Sequence, residues 1–168
     1  MSIGSYEGDV SHISRAWGGY EPGAYYQIRK PLFLWKTTDG TSIRIMAVPA
    51  GPMDQLTEEV QLPADIPTLV HYQQSPHEWQ DILCILPAGT QIRCARVIKE
   101  GVWPKEGRLF YYAMIADGQY QGLEIEINAL SQVYDCGCSP ITFKPDPDLL
   151  AVLGKMSNEP EDLKTEHE

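Results

Sequence analysis

Ile85-Leu86-Pro87-Ala88-Gly89-Thr90-Gln91-Ile92-Arg93-Cys94-Ala95-Arg96-Val97 opens the stretch, running on to Leu130, whose reading decides the fold. Gly101, Gly107, Asp117-Gly118 and Gly122 punctuate it. Between these breaks apolar and polar residues alternate at period two, most cleanly in Leu123-Glu124-Ile125-Glu126-Ile127. That order puts three aliphatic side chains on one side of an extended chain and two carboxylates on the other. Short alternating runs separated by turn residues predict a mainly β fold built as a small barrel.

Working outward, Tyr25 to Trp35 reads as one or two strands, with Pro31 marking an edge or a break. Asp39-Gly40 is a hairpin signal ahead of Thr41 to Val48, where Ile43, Ile45 and Ala47 share one face and Arg44, Met46 and Val48 the other. Residues 1–23 are expected to form an irregular arm. Pro49, Pro52, Pro63, Pro67 and Pro76 interrupt every candidate element downstream, so residues from about 49 to 80 read as an insertion. Within it Met53 to Val60 suggests a short helix, and Ser75-Pro76-His77-Glu78 a capping box opening one helical turn, with strand resuming from about Leu83. Val48-Pro49-Ala50, Leu62-Pro63-Ala64 and Leu86-Pro87-Ala88 are unequally spaced and so do not make a tandem repeat. Asp146-Pro147-Asp148 supplies an N-cap and a proline at the first helical position, which predicts a short helix to Gly154. Residues 155–168, with Glu159, Glu161, Asp162, Glu166 and Glu168, are expected to form an acidic disordered tail. Residues 24–154 then make a single β domain.

Hydrophobic residues at 43% and charged residues at 21% of 168 are ordinary globular usage, which argues against wholesale disorder. Thirteen Lys plus Arg against twenty-three Asp plus Glu give a net charge of -10. Such a surface repels phosphate backbones and anionic lipid, so neither nucleic acid nor membrane is an expected partner; the charge serves either plain solubility or attraction to another protein of basic character. No run of apolar residues reaches spanning length, and Met1-Ser2-Ile3-Gly4-Ser5-Tyr6 does not read as a signal peptide. The expected location is cytoplasmic, or periplasmic if a leader has been removed. Cys84 and Cys94 flank the Leu86 to Thr90 turn and would face each other across a hairpin; two small buried side chains are the expected outcome in a reducing compartment. Cys136-Gly137-Cys138 lacks a second pair at zinc-ribbon spacing, so no metal or other cofactor is expected.

The turn at Leu86 to Thr90, the strand Gln91 to Val97, a variable loop over Lys99 to Gly107, the aromatic strand Arg108 to Ala116, the Asp117-Gly118 turn and a tight turn near Asn128-Ala129-Leu130-Ser131 together resemble a bacterial SH3-type (SH3b) barrel. The resemblance covers about fifty residues, or about seventy if Tyr25 to Leu34 supplies the opening strand. It implies an SH3-like barrel carrying a proline-rich insertion, and a role in peptide binding, protein contacts or wall targeting. The loops holding Trp103 and Tyr120 would flank the peptide groove, and with Trp35, Tyr112, Glu100, Glu106 and Asp117 they would form an aromatic, acidic recognition surface.

No phosphate-cradling loop, zinc-protease motif, nucleophile elbow or dinucleotide fingerprint is present. His71 and His77 match no mechanistic spacing to Cys84 or Cys94. In Leu109 to Ala116 both strand faces are apolar, so something must cover the second face. The expected function is therefore that of a non-enzymatic protein-binding module, an acidic inhibitor or immunity-type partner of a basic protein. A peptide or cell-wall glycan targeting module is the alternative, and a small thiol enzyme the third.

Overall fold

The computed structural model describes residues 5–39, 42–49, 82–102, 107–135, 137 and 140–155. The expected helices over 53–60 and after Ser75, and the acidic tail beyond residue 155, lie outside them. The described chain is mainly β: β1 (Ser5–Asp9), β2 (Tyr25–Ile28), β3 (Leu32–Asp39), β4 (Ser42–Pro49), β5 (Ile82–Leu86), β6 (Gln91–Val102), β7 (Arg108–Ile115), β8 (Glu124–Glu126), β9 (Ser131–Asp135), β10 (Thr142–Pro145) and β11 (Leu150–Gly154). Nine of these form one sheet in the order β11-β2-β6-β7-β8-β4-β3-β5, with β1 added alongside β6, while β9 and β10 make a separate two-stranded ribbon. Among the described residues the sheet does not close, and β11 and β5 end its order.

The long strand β6 organises the sheet. Its first residues pair with β2, Tyr25 opposite Arg93, and its last with β1, Ser5 opposite Val102, while β7 lies along its other edge. A bulge between Cys94 and Arg96 separates the two halves, bending the strand as an extra unpaired residue does. Hence the arm before residue 23 is not wholly irregular: β1 finds a template in β6.

The predicted hairpin is present, β3 and β4 pairing from Leu32 opposite Pro49 to Asp39 opposite Ser42. The alternation at residues 123–127 also delivers its core face, with Leu123, Ile125 and Ile127 buried. So does the tight turn near Asn128, which is a single 3-10 turn over Asn128–Leu130. Asn128 there extends the β8 edge with its side chain: Oδ1 accepts from the Tyr111 N–H at 2.8 Å and Nδ2 donates to the Leu109 carbonyl at 2.9 Å. A buried amide satisfied on both sides is worth retaining, because either half left alone would cost its desolvation.

Two expectations are corrected. The Leu86 to Thr90 turn exists, with Gly89 at φ +93 and Thr90 Oγ1 donating to the Pro87 carbonyl, but it joins strands that do not pair. β5 lies against β3, where Cys84 is opposite Leu34, whereas Cys94 is opposite Ala113 of β7, so no hairpin brings the two cysteines together. The second correction concerns residues 146–154. Asp146 forms a turn, its Oδ1 accepting from the Asp148 N–H and its carbonyl from Leu149 and Leu150, and the chain then becomes β11 on β2 with Leu150 opposite Ile28. The free edge of β2 outbids local helix preference, because pairing there also buries Leu150.

Inside the sheet lies one apolar cluster, including Leu34, Ala47, Ile92, Val97, Leu109, Ala113 and Ile125. Three tyrosines line it, Tyr20 edge-on to Tyr26 at 5.5 Å and 5.0 Å from Tyr111. Each hydroxyl finds an acceptor: Tyr20 against Ser131 Oγ at 2.5 Å, Tyr26 on the Gly19 carbonyl, Tyr111 on the Ala16 carbonyl. Burial raises all three phenols above their ordinary value, Tyr111 to about 12, so they remain hydroxyls throughout the physiological range.

Candidate functional site

On the sheet's other face, register places one residue per strand in a row: Trp35 opposite Met46, Met46 beside Glu126, Glu126 opposite Tyr112, Tyr112 opposite Arg96. Strand pairing alone thus sets Trp35 and Tyr112, two of the expected recognition residues, in one row with β4 and β8 between them. Glu100 lies four residues beyond Arg96 along β6, where it accepts a hydrogen bond from Arg44 Nη2. Arg44 also stands 3.9 Å from the Glu126 carboxylate, and its guanidinium lies 4.4 Å from the centre of the Phe110 ring. Arg96 forms a forked pair with Glu124, its Nε and Nη2 donating at 2.5 to 3.1 Å, and sits 4.7 Å over Tyr112.

This lattice answers what covers the second apolar face of β7. Guanidinium planes lie on the exposed sides of Phe110 and Tyr112, and carboxylates hold the planes in place. Tyr112 is only 8% exposed, and burial pushes its phenol up to about 12. Glu126 is 5% exposed rather than on a wet side, and burial holds its carboxyl above the ordinary glutamate value, partly offset by Arg44. Arg44 and Arg96 each have an anion within the chain, so the charge at the centre of this face is matched internally.

The remaining expected residues fall elsewhere. Tyr120 is 7% exposed in the connection between β7 and β8, and belongs to the core cluster. Asp117 is exposed and fastens a turn, its Oδ1 accepting from the Gln91 N–H at 2.9 Å. Trp103 and Glu106 lie outside the described residues, as do His71, His77, Cys136 and Cys138. Cys94 is fully buried and burial pushes its thiol up to about 12, which leaves it protonated and unreactive at neutral pH. No group of His, Cys, Asp and Glu among the described residues could hold a metal ion. Nor is any described helix long and apolar enough to cross a membrane.

A second group of exposed side chains was not anticipated. Val133 and Tyr134 on β9, Ile141 just before β10, and Val152 and Leu153 on β11 are 51%, 58%, 45%, 66% and 43% exposed. Five of the six large apolar side chains exposed among the described residues therefore lie between positions 133 and 153, Trp35 being the sixth. The ribbon is held to the core from beneath. Thr142 is buried, Phe143 packs edge-on against Tyr111 at 6.1 Å, and the Phe143 carbonyl accepts from the Gly19 N–H. Close approach there requires glycine: a β-carbon on Gly18, which sits at φ +58, would overlap the Phe143 carbonyl, and one on Gly19 would come within 2.5 Å of Lys144 Cβ. The Gly18-Gly19 pair that seemed to mark an irregular arm is a seat for β10. Exposure of Val133 or Ile141 leaves no local sequence signal, since it depends on which strands pack beneath them.

No family model matches this chain, and neither a curated protein nor a solved structure matches it.

Proposed function

We propose that this chain is a non-enzymatic protein-binding module, an acidic partner of a basic protein in the manner of small inhibitors and immunity proteins, and that it docks through β9, β10 and β11. The observation that carries this reading is the gathering of exposed Val133, Tyr134, Ile141, Val152 and Leu153 at one end of the chain. Large apolar side chains left in water are a frequent mark of a contact surface, and an aromatic such as Tyr134 supplies area with little entropy to lose. The acidic residues from Glu159 to Glu168 follow β11 directly in sequence, and with the net charge of -10 they favour a basic partner and speed its approach. We read the sheet as an elaborated SH3-like barrel working in the cytoplasm. The alternative, a groove for peptide or glycan, rests on Trp103 and Tyr120, and the burial of Tyr120 weighs against it.

Affinity capture from native lysate at low and high salt tests the proposal. A stoichiometric basic protein released by salt is the expected result. Retention on cell-wall material, with no protein captured at either salt concentration, would overturn it in favour of the targeting module.

A further inference from the structure

A cavity of about 400 Å³ opens where the chain leaving β1 crosses the inner ends of β6 and β7. Val10, Ile13 and Leu109 give it an apolar wall, Thr142 contributes a hydroxyl, and Arg15 and Lys99 bring two positive charges to its lining. No Asp or Glu lines it among the described residues, in a chain whose net charge is -10. The register explains why Lys99 has no acid across from it: its neighbours are Gly8 of β1 and Leu109 of β7. Glu100, the next residue along β6, points to the other face and is committed to Arg44. Neither Arg15 nor Lys99 forms an ion pair among the described residues, whereas Arg44 and Arg96 both do.

The backbone that carries both cations is held in position. Arg15 lies in the 3-10 turn Ser14–Ala16, where the Trp17 N–H donates to the Ser14 carbonyl and Tyr111 Oη to the Ala16 carbonyl at 2.8 Å. Lys99 is fixed by pairing on both sides of β6. Volumes of about 300 to 1,000 Å³ with an apolar wall and a few convergent polar groups are typical of small-molecule sites. Positive charge beside an apolar wall attracts anions, and half-buried Lys99 does so more strongly than it would on an open surface.

We propose that this cavity binds an organic carboxylate joined to an apolar group, the carboxylate between Arg15 and Lys99 and the hydrocarbon against Val10, Ile13 and Leu109. Such a group can belong to a free acid or to the last residue of a polypeptide. Titration of the full chain followed by amide chemical shifts tests this with sodium octanoate, N-acetyl-leucine, 1-octanol and inorganic phosphate. Saturable binding of octanoate or N-acetyl-leucine is expected, with shifts centred on residues 10–16 and 99. Lys99→Met and Arg15→Met should each weaken it about 10-fold while leaving the thermal midpoint unchanged, and Lys99→Arg should restore it. Preference for octanoate would identify a free acid, and preference for N-acetyl-leucine a chain terminus. Equal binding of 1-octanol, equal binding of phosphate, no saturable binding, or indifference to both methionine variants would each overturn the proposal.

Discussion

The outer face around Tyr112 and the ribbon around Tyr134 treat their side chains in opposite ways. On the first, charged groups are matched within the chain: Arg44 with Glu100 and Glu126 largely out of water, and Arg96 with Glu124 partly in it. On the second, hydrocarbon is left in water, with Tyr134 58% exposed against 8% for Tyr112. Internally matched charge holds a fold in one register but offers little to a partner, whereas unmatched apolar surface contributes little to the fold and much to association. The contrast teaches that an aromatic and acidic composition does not locate a contact surface; whether each group is already satisfied does.

The contrast breaks most severely if the lattice loses its centre. Arg44→Met should cost about 3 kcal/mol in urea unfolding, because it strands Glu126 and Glu100 in low dielectric. Adding Glu100→Gln and Glu126→Gln should recover most of that loss; if it does not, the lattice is not what holds this face. Gly18→Ala should cost about 2 kcal/mol, combining the positive φ with collision against β10. It should also loosen β9 and β10 in hydrogen exchange while β6 and β7 keep their protection.

Smaller effects sharpen the comparison. Burial raises the Glu126 carboxyl, so the folded state favours its proton over the unfolded state. Its contribution to stability is then present below the ordinary value of 4.5 and is lost as pH rises through the raised folded value. Glu126→Gln should remove that loss, so the variant's stability relative to the parent should rise between about pH 4 and pH 7; an unchanged relative stability would contradict the burial argument. Least of all should come from the ribbon, where Val133→Ser, Tyr134→Ser and Ile141→Ser together should shift stability by less than about 1 kcal/mol, since these side chains are already in water.

What could be read in the sequence was local. The β3–β4 hairpin, the alternation of Leu123 to Ile127 and the turn at Asn128 are set by neighbouring residues, and all are present. What could not be read was partner choice between distant strands. The Leu86 to Thr90 turn looks like the tip of a hairpin, yet its two strands leave for β3 on one side and for β2, β1 and β7 on the other. Asp146-Pro147-Asp148 looks like a helix start, yet the edge of β2 captures the following residues. For the candidate site, residue type points to Trp35, Tyr112 and Glu100, which the sheet places on one face but on strands that are not neighbours for Trp35. Their neutralising partners Arg44 and Arg96 were not picked out, because the pairing β4-β8-β7-β6 that assembles them joins segments up to eighty residues apart, Met46 with Glu126 being the longest step. The exposed ribbon had no sequence signal, as alternation there does not distinguish a face packed on the core from one left open.

The central claim is that association resides in the ribbon and not in the outer face. It is tested most directly by capture from native lysate with three tagged chains: the parent, the Val133→Ser/Tyr134→Ser/Ile141→Ser variant and a Trp35→Ser variant, each first shown to be folded by its thermal melt. The account predicts that the parent and the Trp35→Ser variant retain the same basic protein and that the ribbon variant loses it. Retention by the ribbon variant together with loss by Trp35→Ser would contradict it and move the contact surface to the face around Tyr112.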